Sequence, residues 1–383
     1  MRFLMITQID LQYYKCFKKL SLSLAPLTLL SGTNASGKSS ILQALVLLHQ
    51  TIRENEWSQR LMLNGESIKL GTVSDIIDQV NGRNQFGIGL HDGSNHYFWR
   101  FIGDRDEMSM GIQQFTINEN QVTSHETLRF LFPYKAEKGS PKLAYELKDI
   151  TYITAERVGP REIYILEDSY KNAVVGPAGE NAVSLLHRKR DNKIIDTLAL
   201  PQVFNTCLRQ VEERMRVFFP GCSLDVQQVP QTNAVTLGLR TSSSTDYHRP
   251  IHEGFGLTQI LPIVIAVLTT PKGNIILIEN PEVHLHPAGQ ALMGKFLSDA
   301  ARSGIQVILE THSDHVLNGI RRAVKSKSLR PDQVKLYFFN HRTSESEQVI
   351  NPCIDNNGNI DMWPEGFFDQ YDHDMDFFAG WGE

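Results

Sequence analysis

Gly32-Thr33-Asn34-Ala35-Ser36-Gly37-Lys38-Ser39, followed by Ser40, fits the pattern G-x-x-x-x-G-K-[ST]. Glycines at these places let the backbone curl around phosphate oxygens. The lysine then reaches the β- and γ-phosphates, and the hydroxyl of Ser39 is placed to bind Mg²⁺. Gly32 and Asn34 through Ser40 are therefore the expected nucleotide-binding residues. The flanks agree with this reading. Leu27-Thr28-Leu29-Leu30 is an apolar run of strand length, and Ile41, Leu42, Leu45, Leu48 and Ile52 recur at helical spacing. A helix starting at Lys38 would aim the positive end of its dipole at the phosphates.

Working outward, Phe3–Tyr14 and Leu20–Leu24 read as two strands leading into the loop. Between them, Phe17 beside Lys15 and Lys18 offers a ring to a nucleotide base or packs locally on an edge strand. After the helix, Phe86–Leu90, Tyr97–Ile102 and Met108–Ile117 are aromatic and β-branched runs separated by Asp-Gly and Gly-Asp turns, an antiparallel sheet beside the nucleotide core. Ile150–Thr154 reads as a strand ending at Glu156-Arg157. That turn either faces a ligand or is a solvated turn held by an Arg–Glu pair.

From about residue 165 to 250 the pattern changes to two helices, Glu180–Lys189 and Val203–Phe218, and two short strands, Ser223–Val229 and Ala234–Leu239. Glu253-Gly254-Phe255-Gly256-Leu257-Thr258-Gln259 then opens an apolar helix, a second Gly-rich helix start of the kind that holds anions. Asn274–Ile278 is a buried-strand run ending in Glu279-Asn280-Pro281-Glu282. An acid at that strand end is the expected Mg²⁺ partner of Ser39, the Walker B position. Gln306–Leu309 is a further strand, and it delivers His312 to the same kind of strand end, within reach of a γ-phosphate. His284, His286, His312, His315 and Asp314 also invite a metal reading. The prolines around His284 and His286 favour a turn-shaping role, and no cysteine joins them.

With 383 residues, 41 % of them hydrophobic, the chain can bury a sizeable core as one large or two interleaved domains. Its net charge of −5 gives no global reason to bind nucleic acid. Cys16, Cys207, Cys222 and Cys353 are too scattered for a zinc site or a disulfide framework. No signal peptide or membrane span is legible, so a cytoplasmic protein with no membrane partner is expected.

The order of these motifs decides between ATPase classes. A β-rich arm, a helical lobe and a Gly-rich helix start intervene between Lys38 and Glu279. In that order the chain resembles the ABC-type ATPase heads of the SMC, RecF and OLD (overcoming lysogenisation defect) group. It is most similar to compact stand-alone bacterial ATPases found in antiphage defence loci. The resemblance runs through the loop, Gly254–Gln259, Ile278–Pro287, Thr311-His312-Ser313 and the Trp363–Asp369 ending.

The resemblance implies an α/β fold: an ABC-type P-loop ATPase head with an antiparallel β arm and an inserted helical lobe. The expected parts are residues 1–161 and 253–340 for the ATPase core, 162–252 for the lobe, and 341–383 for a small C-terminal segment. It implies that Gly254, Gly256, Thr258 and Gln259 form a signature that contacts the γ-phosphate bound by another subunit, so that ATP and Mg²⁺ join two heads head to tail. Glu279 takes the Walker B acid position and His312 the switch-histidine position. Asn280 falls where such ATPases usually carry the catalytic glutamate, and an amide cannot act as a general base. Either Glu279 or Glu282 supplies the base, or hydrolysis is slow.

No coiled-coil arm or Toprim nuclease domain is legible, so any nuclease or toxin activity is expected on a separate effector. The expected function is thus an ATP-driven switch in antiviral defence. A DNA-repair clamp is the competing reading, resting on Arg321, Arg322, Lys325, Lys327 and Arg330. The acidic tail, with Asp369, Asp372, Asp374 and Asp376, reads as solvated or partner-docking rather than cation-binding.

Overall fold

The computed structural model describes residues 5–81, 84–122, 128–134, 140–167, 174–242, 244–252, 255–340 and 348–379. The chain divides into two compact units, Met1–Ile150 with Arg330–Glu383, and Thr151–Leu329.

The first unit opens with β1 (Gln8–Tyr14), β2 (Phe17–Ser23) and β3 (Leu27–Gly32), followed by α1 (Lys38–Glu54), β4 (Arg60–Met62) and the single turn α2 (Val73–Ile76). Then come β5 (Gln85–His91), β6 (His96–Ile102), β7 (Ser109–Ile117), β8 (Asn120–Val122), the pair β9 (Leu128–Arg129) and β10 (Phe132–Pro133), and α3 (Lys142–Lys148). The expected antiparallel arm is a sheet ordered β2-β1-β5-β6-β7-β4, with β8 on β7. Strand alternation sorts its two faces. Ile9, Leu11, Phe86, Ile88, Leu90, Trp99 and Phe101 are buried on one. Their rings interlock: Trp99 meets Phe132 edge to face at 5.0 Å, and its indole N–H donates to the Leu131 carbonyl at 2.8 Å. The first strand starts at Gln8, later than the sequence pattern suggests, and Met1–Leu4 lie outside the described residues.

Helix α1 is buried along nearly its whole length. Among its buried polar groups is His49, 2 % exposed, whose Nδ1 bonds the Leu147 carbonyl of α3 at 2.8 Å. Burial pushes the His49 pKa down to about 4, so the ring is neutral and Nδ1–H is the donor.

The second unit holds β11 (Thr151–Ile153), β12 (Tyr164–Ile165), α4 (Ala182–Lys189), α5 (Cys207–Phe218), β13 (Ser223–Gln228), β14 (Ala234–Arg240) and α6 (Phe255–Thr269). It continues through β15 (Ile275–Glu279), α7 (Pro287–Arg302), β16 (Gln306–Glu310) and α8 (Asp314–Lys325). Strands β11, β15 and β16 pair in parallel. Their side chains are buried on both faces, which explains why the sequence shows continuous apolar runs rather than alternation. The lobe is a small antiparallel sheet, β12-β14-β13, with α4 and α5. Helix α6 is apolar all round and buried from Leu257 to Leu268.

The chain then returns to the first unit with β17 (Val334–Phe339), β18 (Val349–Ile350) and α9 (Gln370–Ala379). Strand β17 lies parallel to β3, with Phe339 opposite Gly32, and β18 is antiparallel to β17. The strand expected over Gln348–Ile354 is only these two residues, with an isolated bridge between Ile354 and Ile360. The acidic tail is helical rather than extended. Asp369 accepts a hydrogen bond from the Gly366 N–H at 2.7 Å, while Phe367 is fully buried and meets Phe338 at 5.4 Å.

Candidate nucleotide site

In the first unit, the loop from Gly32 to Gly37 joins β3 to α1. Three residues there take positive φ: Gly32 (136°), Ala35 (58°) and Gly37 (106°). Gly32 has no substitute. A Cβ there would lie 2.2 Å from the Phe339 carbonyl oxygen on the neighbouring strand. The loop is also held from within. The Ser36 hydroxyl donates to the Thr33 carbonyl at 2.7 Å, and the Thr33 N–H donates to the Phe339 carbonyl at 3.1 Å.

Helix α1 begins at Lys38 with Gly37 as its N-cap. No side chain caps it and no acid stands in its first turn. Nearly every helix start needs acceptors for its first N–H groups, so this one is a cradle for an anion. Lys38 is buried at 3 % exposure, and its ammonium donates to the carbonyls of Gly32 (3.1 Å) and Thr33 (2.7 Å). The charge is thus folded back along the loop it serves. Asn34 and Ala35 are exposed, Ser39 is half-buried and Ser40 is buried.

Phe17 does not present its ring to a base. It is 1 % exposed and meets Phe339 edge to face at 6.3 Å. A Cβ on Gly37 would touch its ring at 2.6 Å, so Phe17 is the floor under the loop. The aromatic that seemed available in sequence is spent on the core.

In the second unit, the ends of β11, β15 and β16 gather a polar cluster. Glu279, the last residue of β15, accepts from the Tyr152 hydroxyl at 2.7 Å and from the Ala155 N–H at 3.4 Å. Burial and the adjacent Glu279 carboxylate raise the Tyr152 pKa well above its usual value, so the phenol stays a donor. Glu282 accepts from the Thr311 hydroxyl at 2.8 Å and the His312 N–H at 2.9 Å, which binds the turn after β15 to the end of β16. The His312 side chain is exposed.

Asn280 sits at φ 44°, in the left-handed region. Asn tolerates that conformation better than Glu, which is a local backbone reason for an amide at this place. His286 caps α7, its Nδ1 accepting from the Ala288 N–H at 3.4 Å, which is the turn-shaping role expected of it.

The solvated-turn reading does not hold for Arg157. It is 7 % exposed, so it is not a solvated turn residue, and it is spent on backbone. Its guanidinium donates to the carbonyls of Thr154 (3.0 Å), Glu279 (3.0 Å) and Asn280 (2.9 Å). Burial pushes its pKa down to about 10 against the pull of Glu282 and Glu279. Tyr152 is the residue sequence reasoning missed. Tyr152 is the one polar tip in the β11 run Thr151-Tyr152-Ile153 that can reach a neighbouring strand end, and that was its available signal.

The Gly-rich helix start is largely enclosed. Gly254 lies outside the described residues. Thr258 is 5 % and Gln259 2 % exposed, and the Gln259 amide donates to the carbonyls of Arg157 (3.1 Å) and Val158 (3.4 Å). Gln259 steadies the segment that carries Arg157. Gly256 is half-buried, and a Cβ there would lie 2.9 Å from the His284 carbonyl.

The donor chemistry fits ATP with Mg²⁺. An uncapped helix start and an ammonium suit phosphates, and the Ser39 hydroxyl and Glu279 carboxylate are hard oxygen donors of the type Mg²⁺ takes. Two SMC head domains share the fold. One, bound to the C-winged helix domain of ScpA, is 15 % identical with a TM-score of 0.57, covering 91 % of this chain and 98 % of that one. The other, from Pyrococcus furiosus and bound to the C-terminal domain of ScpA, is 12 % identical with a TM-score of 0.53, covering 91 % and 96 %. The fold is therefore α/β, of the ABC-type ATPase-head kind. No curated protein matches the chain. Residues 329–377 match a family described as a protein of unknown function (DUF3696). No described helix is long and apolar enough to cross a membrane. Residues 5–81 and 114–317, well over half of the chain, match the AAA ATPase domain, and the chain belongs to that ATPase family.

Proposed function

We propose that this ATPase is a slow switch. It binds Mg-ATP, associates with a second copy while ATP is bound, and governs a separate effector such as a nuclease or toxin in antiphage defence. The observation that carries the ATP reading is the uncapped start of α1 beside a buried lysine whose ammonium donates to loop carbonyls. Lys38 turns from those carbonyls onto the β- and γ-phosphates. Ser39 and Glu279 hold the Mg²⁺, which when bound neutralises charge on the β- and γ-phosphates.

Asn280 supports slowness, because it cannot take a proton from water. Glu282 is the general base in this reading. Its oxygens already accept two hydrogen bonds of 2.8 and 2.9 Å, which hold the carboxylate in place. His312, whose backbone N–H anchors Glu282, faces the γ-phosphate with its ring. Gly254 and Gly256 remain the residues proposed to meet the nucleotide of the second copy.

The SMC heads that share this fold bind a domain of ScpA, and this supports docking of a separate protein on a head of this kind. The clamp reading has less behind it. Arg330 is engaged by Asp332 at 2.9 and 3.0 Å, and Arg321 by Asn318 at 2.9 Å, so two of its five cations are already committed. The test is to follow mass by light scattering with and without Mg-ATP in the wild type and Glu282→Gln. An ATP-dependent dimer that persists in the variant supports the switch. Mass unchanged by ATP in both contradicts it.

A further inference from the structure

Away from the phosphate loop, the solvent-side face of the antiparallel sheet carries Asp10 on β1, His91 on β5 and His96 on β6. The register pairs His91 directly with His96, and Asp10 with Gly89. The Nε2 atoms of both histidines lie 3.2 Å from the same oxygen, Oδ2 of Asp10. One donor atom from each residue falls within 4.8 Å of the others. For ligands about 2.0–2.1 Å from a tetrahedral ion, the edge between two donors is about 3.3 Å, so these separations are those of a metal's ligands.

Three further observations mark this as a built arrangement. Gly89 leaves the room in which the donors meet: a Cβ there would lie 2.8 Å from His96 Nε2 and 3.2 Å from Asp10 Oδ2. His96 Nε2 is buried yet off the line of a hydrogen bond to Asp10, and has no hydrogen-bond partner among the described residues. Gln8 donates to the other carboxylate oxygen of Asp10 at 2.8 Å and to the Ser21 hydroxyl at 2.9 Å. Outer hydrogen bonds of this sort orient a metal-binding carboxylate. The two rings stack at 3.9 Å and 7°, with side chains 32 % and 28 % exposed, so an ion can enter from solvent.

We propose that Asp10, His91 and His96 form a binding site for a divalent transition-metal ion of the zinc class. Two imidazoles and one carboxylate suit such an ion better than Mg²⁺ or Ca²⁺, which take oxygen ligands. In-plane lone pairs of parallel rings do not converge, so binding tilts the rings apart. With three protein ligands the ion keeps at least one position open to water.

The test is titration of the full nucleotide-free chain with Co²⁺, reading visible d–d absorption, and then displacement by Zn²⁺. One equivalent should give bands of low coordination number. Those bands should vanish in the His91→Gln/His96→Gln double variant and in Gly89→Val, persist in His284→Gln/His286→Gln, and weaken in affinity roughly 10-fold in Gln8→Ala. Far-UV circular dichroism and the thermal midpoint report folding of each variant, and Asp10→Asn gives an isosteric check if the double variant misfolds. A wild type that binds neither ion, or an Asp10→Asn variant that binds like the wild type, overturns the proposal.

Discussion

Glu282, in the turn after β15, accepts a 2.9 Å hydrogen bond from the backbone N–H of His312, just past β16, so one carboxylate fixes the end of the neighbouring strand. The Thr311 hydroxyl reinforces it at 2.8 Å. The two residues proposed to face the γ-phosphate are thereby a single mechanical unit.

Replacing Glu282 by Gln keeps one acceptor oxygen but removes the charge and the base. Steady-state phosphate release should fall about 100-fold or more while ATP affinity stays within a few-fold. Turnover that survives Glu282→Gln but is lost in Glu279→Gln would move the base to Glu279.

Arg157 is a strut under the same turn. Arg157→Met would strand the carbonyls of Thr154, Glu279 and Asn280 in a partly buried place. The expected loss is about 2–4 kcal/mol, read from the urea midpoint at constant slope. A change below about 0.5 kcal/mol would mean that water satisfies these carbonyls.

The loop geometry predicts a backbone effect at Gly32. A methyl there meets the Phe339 carbonyl at 2.2 Å and imposes a φ of 136° on an L-residue. Gly32→Ala should cost about 3 kcal/mol and abolish binding of a fluorescent ATP analogue. Asn34→Ala, at an exposed position of the same loop, should leave stability within about 0.5 kcal/mol.

His49 gives a pH signature. Its folded pKa, about 4, lies below the ordinary 6.5, so between these values the unfolded chain binds more protons. The stability this group contributes is complete above about pH 6.5 and drains as pH falls toward 4. Between pH 7.5 and 5 the wild type should lose on the order of 2 kcal/mol more than His49→Leu, by urea unfolding at each pH. Parallel losses in the two proteins would contradict a neutral His49.

What the sequence disclosed follows from where the chemistry is local. The loop residues are read directly, because phosphate binding by backbone needs glycines at fixed spacing next to a strand and a helix. Strands β15 and β16 were legible because burial on both faces leaves no polar residue inside them. Three things escaped because they depend on contacts between distant segments. Phe17 is a floor residue only because β17 brings Phe339 to it. Gln259 turns inward because Arg157 and Val158, a hundred residues earlier, offer carbonyls. The Asp10, His91 and His96 cluster is assembled by sheet register across three strands, and no spacing along the chain announces it. The helix α9 escaped for the opposite reason, since its many aspartates among aromatics carry no clear 3.6-residue stripe.

The most direct measurement is phosphate release from Mg-ATP together with equilibrium ATP binding, for the wild type and Lys38→Ala side by side. The account predicts tight ATP binding and slow turnover in the wild type, with both lost in Lys38→Ala. Equal ATP binding by the two proteins, or none by the wild type, would contradict it.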